Sequence, residues 1–155
     1  MTRLLRCGLI LLPLFLLAAC SGGQEVKRIN PPDASVQSLV ITGDSARLAI
    51  RVHNHSDLAM QFGAFDLSLR LGTNTPIALK SSETIDITPH TAEIMNIDLD
   101  RARLPAETLA RLERGEMVAY ALFGNVESFA PRNRTYDLSF EARLSAVPGK
   151  PGEYR

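Results

Sequence analysis

The chain has no tryptophan, two cysteines and three histidines in 155 residues, and its seventeen basic residues are matched by seventeen acidic ones. Each scarcity excludes something. A balanced charge leaves no electrostatic footprint for nucleic acid and no basic cluster for anionic lipid headgroups. No nucleic-acid partner is therefore expected. Both cysteines, Cys7 and Cys20, fall in the first twenty residues. The rest of the chain can form no disulfide, cysteine metal site or thiol nucleophile, and an apolar core alone must hold the fold. A chain of this length can do so, since it buries roughly two-thirds of its surface. Long apolar runs are also missing. Leu9 to Ala19 spans eleven residues, is interrupted by Pro13, and falls short of the about 20 residues that a membrane-spanning helix needs. Gly-x-Ser-x-Gly, a P-loop, His-Glu-x-x-His and a Gly-rich dinucleotide turn are absent, and no catalytic residue is assigned. The chain is expected not to be an enzyme.

What stands at the front is a secretory pattern. Arg3 and Arg6 precede the apolar run, which ends in Leu17-Ala18-Ala19-Cys20. A positive segment, a short apolar core and small residues at its end are the three parts of a signal peptide. The last four residues resemble the lipobox of bacterial lipoproteins. That resemblance implies cleavage between Ala19 and Cys20, removal of residues 1–19, and acylation of Cys20, the one lipidation site expected. Three acyl chains, at about 0.8 kcal/mol per buried methylene, would make a permanent bilayer anchor. Ser21 stands where an Asp marks inner-membrane retention in enteric bacteria. The expected location is thus the outer membrane, lipid-anchored and facing the periplasm. Residues 20–33, Cys-Ser-Gly-Gly-Gln-Glu-Val-Lys-Arg-Ile-Asn-Pro-Pro-Asp, have no apolar period and read as a flexible tether. From Ser21 to Asp33 it reaches about 40 Å when fully extended.

From residue 34 the dominant period is two. Ala46, Leu48, Ile50 and Val52 alternate with Arg47, Ala49, Arg51 and His53; Phe65, Leu67, Leu69 and Leu71 alternate with Asp66, Ser68 and Arg70. Met95, Ile97 and Leu99 repeat the pattern, as do Tyr136, Leu138, Phe140, Ala142 and Leu144. Such alternation marks half-buried strands. Val118 to Val126 is apolar on both faces, which places it inside a sheet. Gly72-Thr73-Asn74-Thr75 predicts a hairpin loop. Pro105 to Gly115 breaks the pattern: Leu109 and Leu112 lie three apart, Pro105 suits a helix start and Gly115 its end. A short helix is expected there, with a Glu107–Arg111 pair at i,i+4. Seven to eight strands with one helix predict an all-β antiparallel sandwich over residues 34–147, with residues 148–155 as a frayed tail.

The same body resembles the late embryogenesis abundant type 2 proteins and their WHy (water stress and hypersensitive response) domain. The matching residues are the strand Leu48 to His53 leading into Asn54, the loop Leu58 to Phe62, the strand Phe65 to Gly72, the step Ile87-Thr88-Pro89 into Ile94 to Leu99, the Tyr120-x-Leu122-x-Gly124-x-Val126 strand, and Tyr136 with Phe140. Two departures stand out: His55 follows the Asn where the family usually has Pro, and no Gly stands near Lys80. The resemblance implies an immunoglobulin- or fibronectin III-like sandwich and a link to desiccation or envelope stress. It transfers no active site.

Few side chains suggest binding chemistry. His53 and His55 are two apart and would share a strand face, with His90 and Asp57 as conceivable completing ligands. A His pair without a third ligand nearby in sequence is a polar strand end, and no metal or cofactor is assigned. Asp98 and Asp100 lack a calcium-loop pattern and read as a solvated face. Arg101, Arg103, Arg132 and Arg134 would form a basic patch if they met at one end. Asn54 is expected to hold a turn by bonding backbone. The function expected is that of an envelope lipoprotein acting as a non-enzymatic binding or structural module. Its partners would be the bilayer, through Cys20, and another envelope protein. The alternative is a periplasmic carrier of a lipid or acyl chain, with a Leu-, Phe- and Met-lined space between its sheets.

Overall fold

A computed structural model describes residues 26–155. The expected signal segment, Ala19, Cys20 and the first part of the expected tether lie outside the described residues. Nine strands and one α-helix follow in the order β1 (Asp33–Thr42), β2 (Ser45–His53), β3 (Met60–Leu71), β4 (Ile77–Ser81), β5 (Ile85–Ile87), β6 (Ala92–Asp100), a 3-10 turn (Arg101–Arg103), α1 (Ala106–Glu113), β7 (Val118–Ala130), β8 (Arg134–Leu144) and β9 (Glu153–Tyr154). One sheet has the order β6-β2-β1-β9 and the other β4-β3-β7-β8, with β5 continuing the β4 side of β3. Every pairing is antiparallel. The chain is an all-β antiparallel sandwich.

The alternating patterns set which faces meet. Leu48, Ile50 and Val52 of β2, Leu67, Leu69 and Leu71 of β3, and Met95 of β6 are each fully buried. Met60, Phe62, Phe65, Leu39, Leu122 and Val126 fill the same core. β7 lies between β3 and β8, the interior position that its two apolar faces predict. Phe140 departs from its pattern, being 36% exposed: β8 is the outer strand of its sheet, and its middle is less completely covered than Tyr136 and Leu138 before it or Leu144 after it.

Two backbone features fix the pairing of β3 with β7. One extra residue lies on β3 between Gly63 and Asp66, where the register shifts, and Ala64 there has φ 49°. Opposite this bulge, Gly124 has φ 140°. A Cβ on Gly124 would run into the Asp66 carbonyl. Only glycine meets both conditions, which gives a physical reason for the glycine in Tyr120-x-Leu122-x-Gly124-x-Val126.

The helix forms where expected, while its ion pairing, the segment before β1 and the C-terminal tail differ from the expectations. α1 spans Ala106–Glu113, with Pro105 just before it and buried Thr108, Leu109 and Leu112. It closes as expected, since Gly115 has φ 79° and its amide donates to the Leu112 carbonyl at 2.9 Å. The Glu107–Arg111 pair does not form: Arg111 and Arg114 both bind Glu116, at 3.0 and 2.8 Å, because the chain turns back immediately after the helix. The hairpin loop runs one residue further than predicted, from Gly72 to Pro76. Asn74 in that loop donates to the Thr108 hydroxyl at 3.1 Å, tying it to the helix.

The tail 148–155 is not frayed. Turns at Gly149 and Gly152, with φ 76° and 79°, return it to the sheet, where Glu153–Tyr154 pairs with Val40 and Leu39 of β1. Tyr154 is 4% exposed. The stretch 20–33 also fails to be tether throughout. Pro32 is buried and Asp33 already belongs to β1. Arg28 and Asn30 are hydrogen-bonded to the loop after β2.

Candidate functional site

That loop, Asn54 to Ala59, and the elements around it form the end of the sandwich nearest Cys20 along the chain. Asn54 is fully buried. Its side-chain amide donates to the carbonyls of Leu58, Ile87 and Thr88 at 2.8, 3.0 and 3.2 Å, while its carbonyl accepts from the Ser56 amide at 2.9 Å. Its own amide donates to the Thr91 carbonyl at 2.9 Å. One side chain thereby holds β2's exit, the approach to β3 and the step after β5. Its structural role is confirmed.

The incoming chain is clasped to the same loop. The Arg28 amide donates to Asp57 Oδ2 at 2.8 Å, and the Asp57 amide returns a bond to the Arg28 carbonyl at 2.9 Å. Two residues on, the Asn30 amide donates to Ser56 Oγ at 2.9 Å and Asn30 Nδ2 to the His55 carbonyl at 2.7 Å. Ser56 is fully buried, and its hydroxyl donates to the Asn30 carbonyl at 3.1 Å. Ile29 packs partly into the core. The Arg28 amide holds the Asp57 carboxyl below its ordinary value, opposed by partial desolvation and aided by His90. No sequence signal marked this clasp, because Ser56 and Asp57 read as turn residues and Ile29 as an isolated apolar residue.

All three histidines of the chain stand at this end. His53 ends β2 and His55 lies in the loop after it, so the two do not share a strand face; the turn at Asn54 nevertheless brings their ring centroids to 4.0 Å. The completing ligands differ from those considered. His90 Nε2 lies 3.0 Å from Asp57 Oδ1 and forms a separate pair, with His90 in a left-handed turn at φ 58°. Asp33 takes the third place instead. It is the cross-strand partner of His53 in the β1–β2 register, and its Oδ2 lies 2.7 Å from His55 Nε2. Ligand-type atoms of Asp33, His53 and His55 all lie within 4.8 Å of one another.

The remaining candidates separate. Asp98 binds Arg47 at 2.7 and 3.3 Å, which lowers the carboxyl's affinity for a proton through the hydrogen bond first and charge second. Asp100 caps the 3-10 turn by accepting from the Ala102 amide at 2.8 Å. The four arginines do not meet as a patch. Arg101 and Arg103 follow β6 beside Gly43 and Ala78, where Arg101 also pairs with Glu113 at 3.1 Å. Arg132 and Arg134 flank the β7–β8 loop next to the start of β3, at the opposite end.

Concavities on the described residues are open to solvent. One of about 620 Å³ lies against α1 and is lined by Asp44, Asp100, Arg101, Leu104, Leu109 and Glu113 among others. Another of about 490 Å³ adjoins the β3 bulge and includes Asp66, Lys80 and Glu127. Among the described residues no helix is long and apolar enough to cross a membrane.

The geometry defines a β-sandwich with a polar, histidine-bearing end to which its own N-terminal segment is bound. No protein-family model matches the chain, and no curated protein does. Among solved structures it is similar to a crystal structure of a protein from Archaeoglobus fulgidus, at 9% identity and a TM-score of 0.46 over 77% of this chain and 98% of that one. It is also similar to a solution structure of a candidate late embryogenesis abundant protein, at 14% identity and a TM-score of 0.48 over 88% and 78%. A third is a solution structure from Arabidopsis thaliana, at 12% identity and a TM-score of 0.47 over 86% and 94%. Identities this low carry no site residue from one chain to another.

Proposed function

We infer that the chain is an envelope lipoprotein, anchored by an acylated Cys20 in the outer membrane and facing the periplasm, whose sandwich works by contact rather than by chemistry. The observation that carries this reading is Leu17-Ala18-Ala19-Cys20 at the close of an eleven-residue apolar run behind Arg3 and Arg6. The clasp sets how far the body can stand from such an anchor. With Arg28 bound to Asp57, seven residues separate Cys20 from Arg28, and the eight steps between the two span at most about 28 Å at about 3.5 Å each. A lipid on Cys20 would keep the end that bears Asn54 and the histidines close to the bilayer and the opposite end, with α1, facing away. Contact with another envelope protein then falls to the sheet edges and the far loops. A role in desiccation or envelope stress follows the resemblance to the WHy domain.

The apolar carrier is the weaker reading. It needs an apolar space between the sheets, whereas Met60, Phe62, Phe65, Leu67 and Met95 are fully buried in one core, and the clefts against α1 and the β3 bulge are surface features with charged linings. Mass spectrometry of the protein purified in mild detergent tests the anchor: an N-terminal Cys20 bearing acyl chains is expected, with labelled palmitate incorporated. A mature terminus elsewhere, or a Cys20→Ala protein that fractionates with membranes unchanged, overturns it. Unchanged survival of a deletion strain after drying and osmotic shock overturns the stress role alone.

A further inference from the structure

We propose that Asp33, His53 and His55 bind one divalent transition-metal ion of the Zn²⁺ or Cu²⁺ class. Two imidazoles and a carboxylate are a donor set suited to such ions, with solvent in the fourth position. The set is assembled by the fold and not by local sequence. Antiparallel pairing places Asp33 directly opposite His53, and the turn at Asn54 keeps His55 beside them, its ring 4.0 Å from that of His53. The donor atoms lie within 4.8 Å of one another. Around zinc, with bonds of about 2.0–2.1 Å, tetrahedral donors stand about 3.3 Å apart. Rotations of side chains that are 41% and 53% exposed, for His55 and Asp33, close that gap without moving backbone. Water reaches the open side, and the 2.7 Å contact between His55 Nε2 and Asp33 Oδ2 gives way to the ion.

The neighbouring pair does not form a second such site. Asp57 already accepts from the Arg28 amide and faces a single imidazole, His90. Imidazole donors also set the selectivity: Ca²⁺ and Mg²⁺ prefer oxygen ligands throughout. A bound ion would join the first residue of β1 to the last of β2 and to the loop that clasps Arg28, bracing the sandwich where the chain enters it.

The test is isothermal titration of the untagged full chain in mild detergent, thiols alkylated, with ZnCl₂. One equivalent is expected to bind in the micromolar range, to survive millimolar Ca²⁺ and Mg²⁺, and to raise Tm reversibly on addition and chelation. His53→Ala and His55→Ala should each weaken binding at least tenfold, with the metal-free Tm unchanged because both side chains are partly exposed. His90→Ala should leave binding intact. Absence of binding at 100 μM Zn²⁺, binding that persists in the His53→Ala/His55→Ala double variant, or equal loss in His90→Ala would each overturn the site. None of these results depends on whether Cys20 is acylated.

Discussion

The Tyr120 hydroxyl accepts a hydrogen bond from the Val36 amide at 3.2 Å, joining residues 84 apart in the chain. Tyr120 belongs to β7 and Val36 to β1, so the bond crosses from one sheet to the other. It meets β1 where the register with β2 shifts, a place where backbone groups need partners outside the ladder. Burial raises the Tyr120 pKa and the Val36 bond partly offsets this, so the phenol stays protonated at physiological pH. Tyr120→Phe keeps the ring but leaves the amide without this acceptor. The expected cost is about 1–2 kcal/mol, seen as a lower urea midpoint with an unchanged slope.

Asn54 offers a sharper version of the same logic. Its amide nitrogen faces three carbonyls, those of Leu58, Ile87 and Thr88. Asn54→Asp is nearly isosteric yet replaces that donor with an oxygen carrying charge. A loss of about 3 kcal/mol or more is expected at neutral pH, shrinking as the pH falls and the acid protonates. Denaturant melts at two pH values measure both effects.

Asp57 predicts how the clasp responds to acid. Its folded pKa is depressed, first by the Arg28 amide bond and then, against desolvation, by His90. A carboxyl depressed on folding contributes stability that is present above its unfolded pKa of about 4 and is lost as the pH falls through the folded value. Hydrogen exchange at the Arg28 and Asp57 amides should therefore show protection decreasing below about pH 4, beyond the intrinsic pH trend. Asp57→Asn keeps an acceptor for Arg28 and should abolish that dependence.

The C-terminal strand can be tested directly. Tyr154 is almost completely buried against the core, and the Arg155 amide donates to the Ser145 carbonyl at 2.9 Å. Tyr154→Ala is expected to cost about 3 kcal/mol, measured by thermal or urea unfolding. Removal of residues 148–155 should cost at least as much, whereas a tail without contacts would cost nothing.

These cases mark where the sequence was legible and where it was not. Alternation was readable because one face of each strand is buried: Phe65, Leu67, Leu69 and Leu71 point inward as their spacing predicts. Asn54 was readable because an amide at a strand end has few better uses than binding backbone. Tyr154 was not, since one apolar residue among Pro and Gly carries no period, and the glycine turns that return it to β1 look like the composition of a loose end. Asp33 was missed as the third member of the histidine cluster because it lies twenty positions before His53 and joins it through strand register, a long-range quantity. The arginines failed as a patch for the converse reason: Arg101 and Arg134 belong to opposite ends of the sandwich, which neither composition nor spacing reveals.

Gly124 and the bulge around Ala64 also govern which alternatives the chain can reach. Sliding β7 by one position against β3 would bring Phe123 or Asn125 to the spot beneath the Asp66 carbonyl, where even a methyl group does not fit. The same slip would turn Leu122 and Val126 out of the core. A missing side chain therefore acts as a ratchet tooth: misaligned pairings are blocked sterically before hydrophobic burial has to discriminate against them, and β3 and β7 have a single frame in which they can zip.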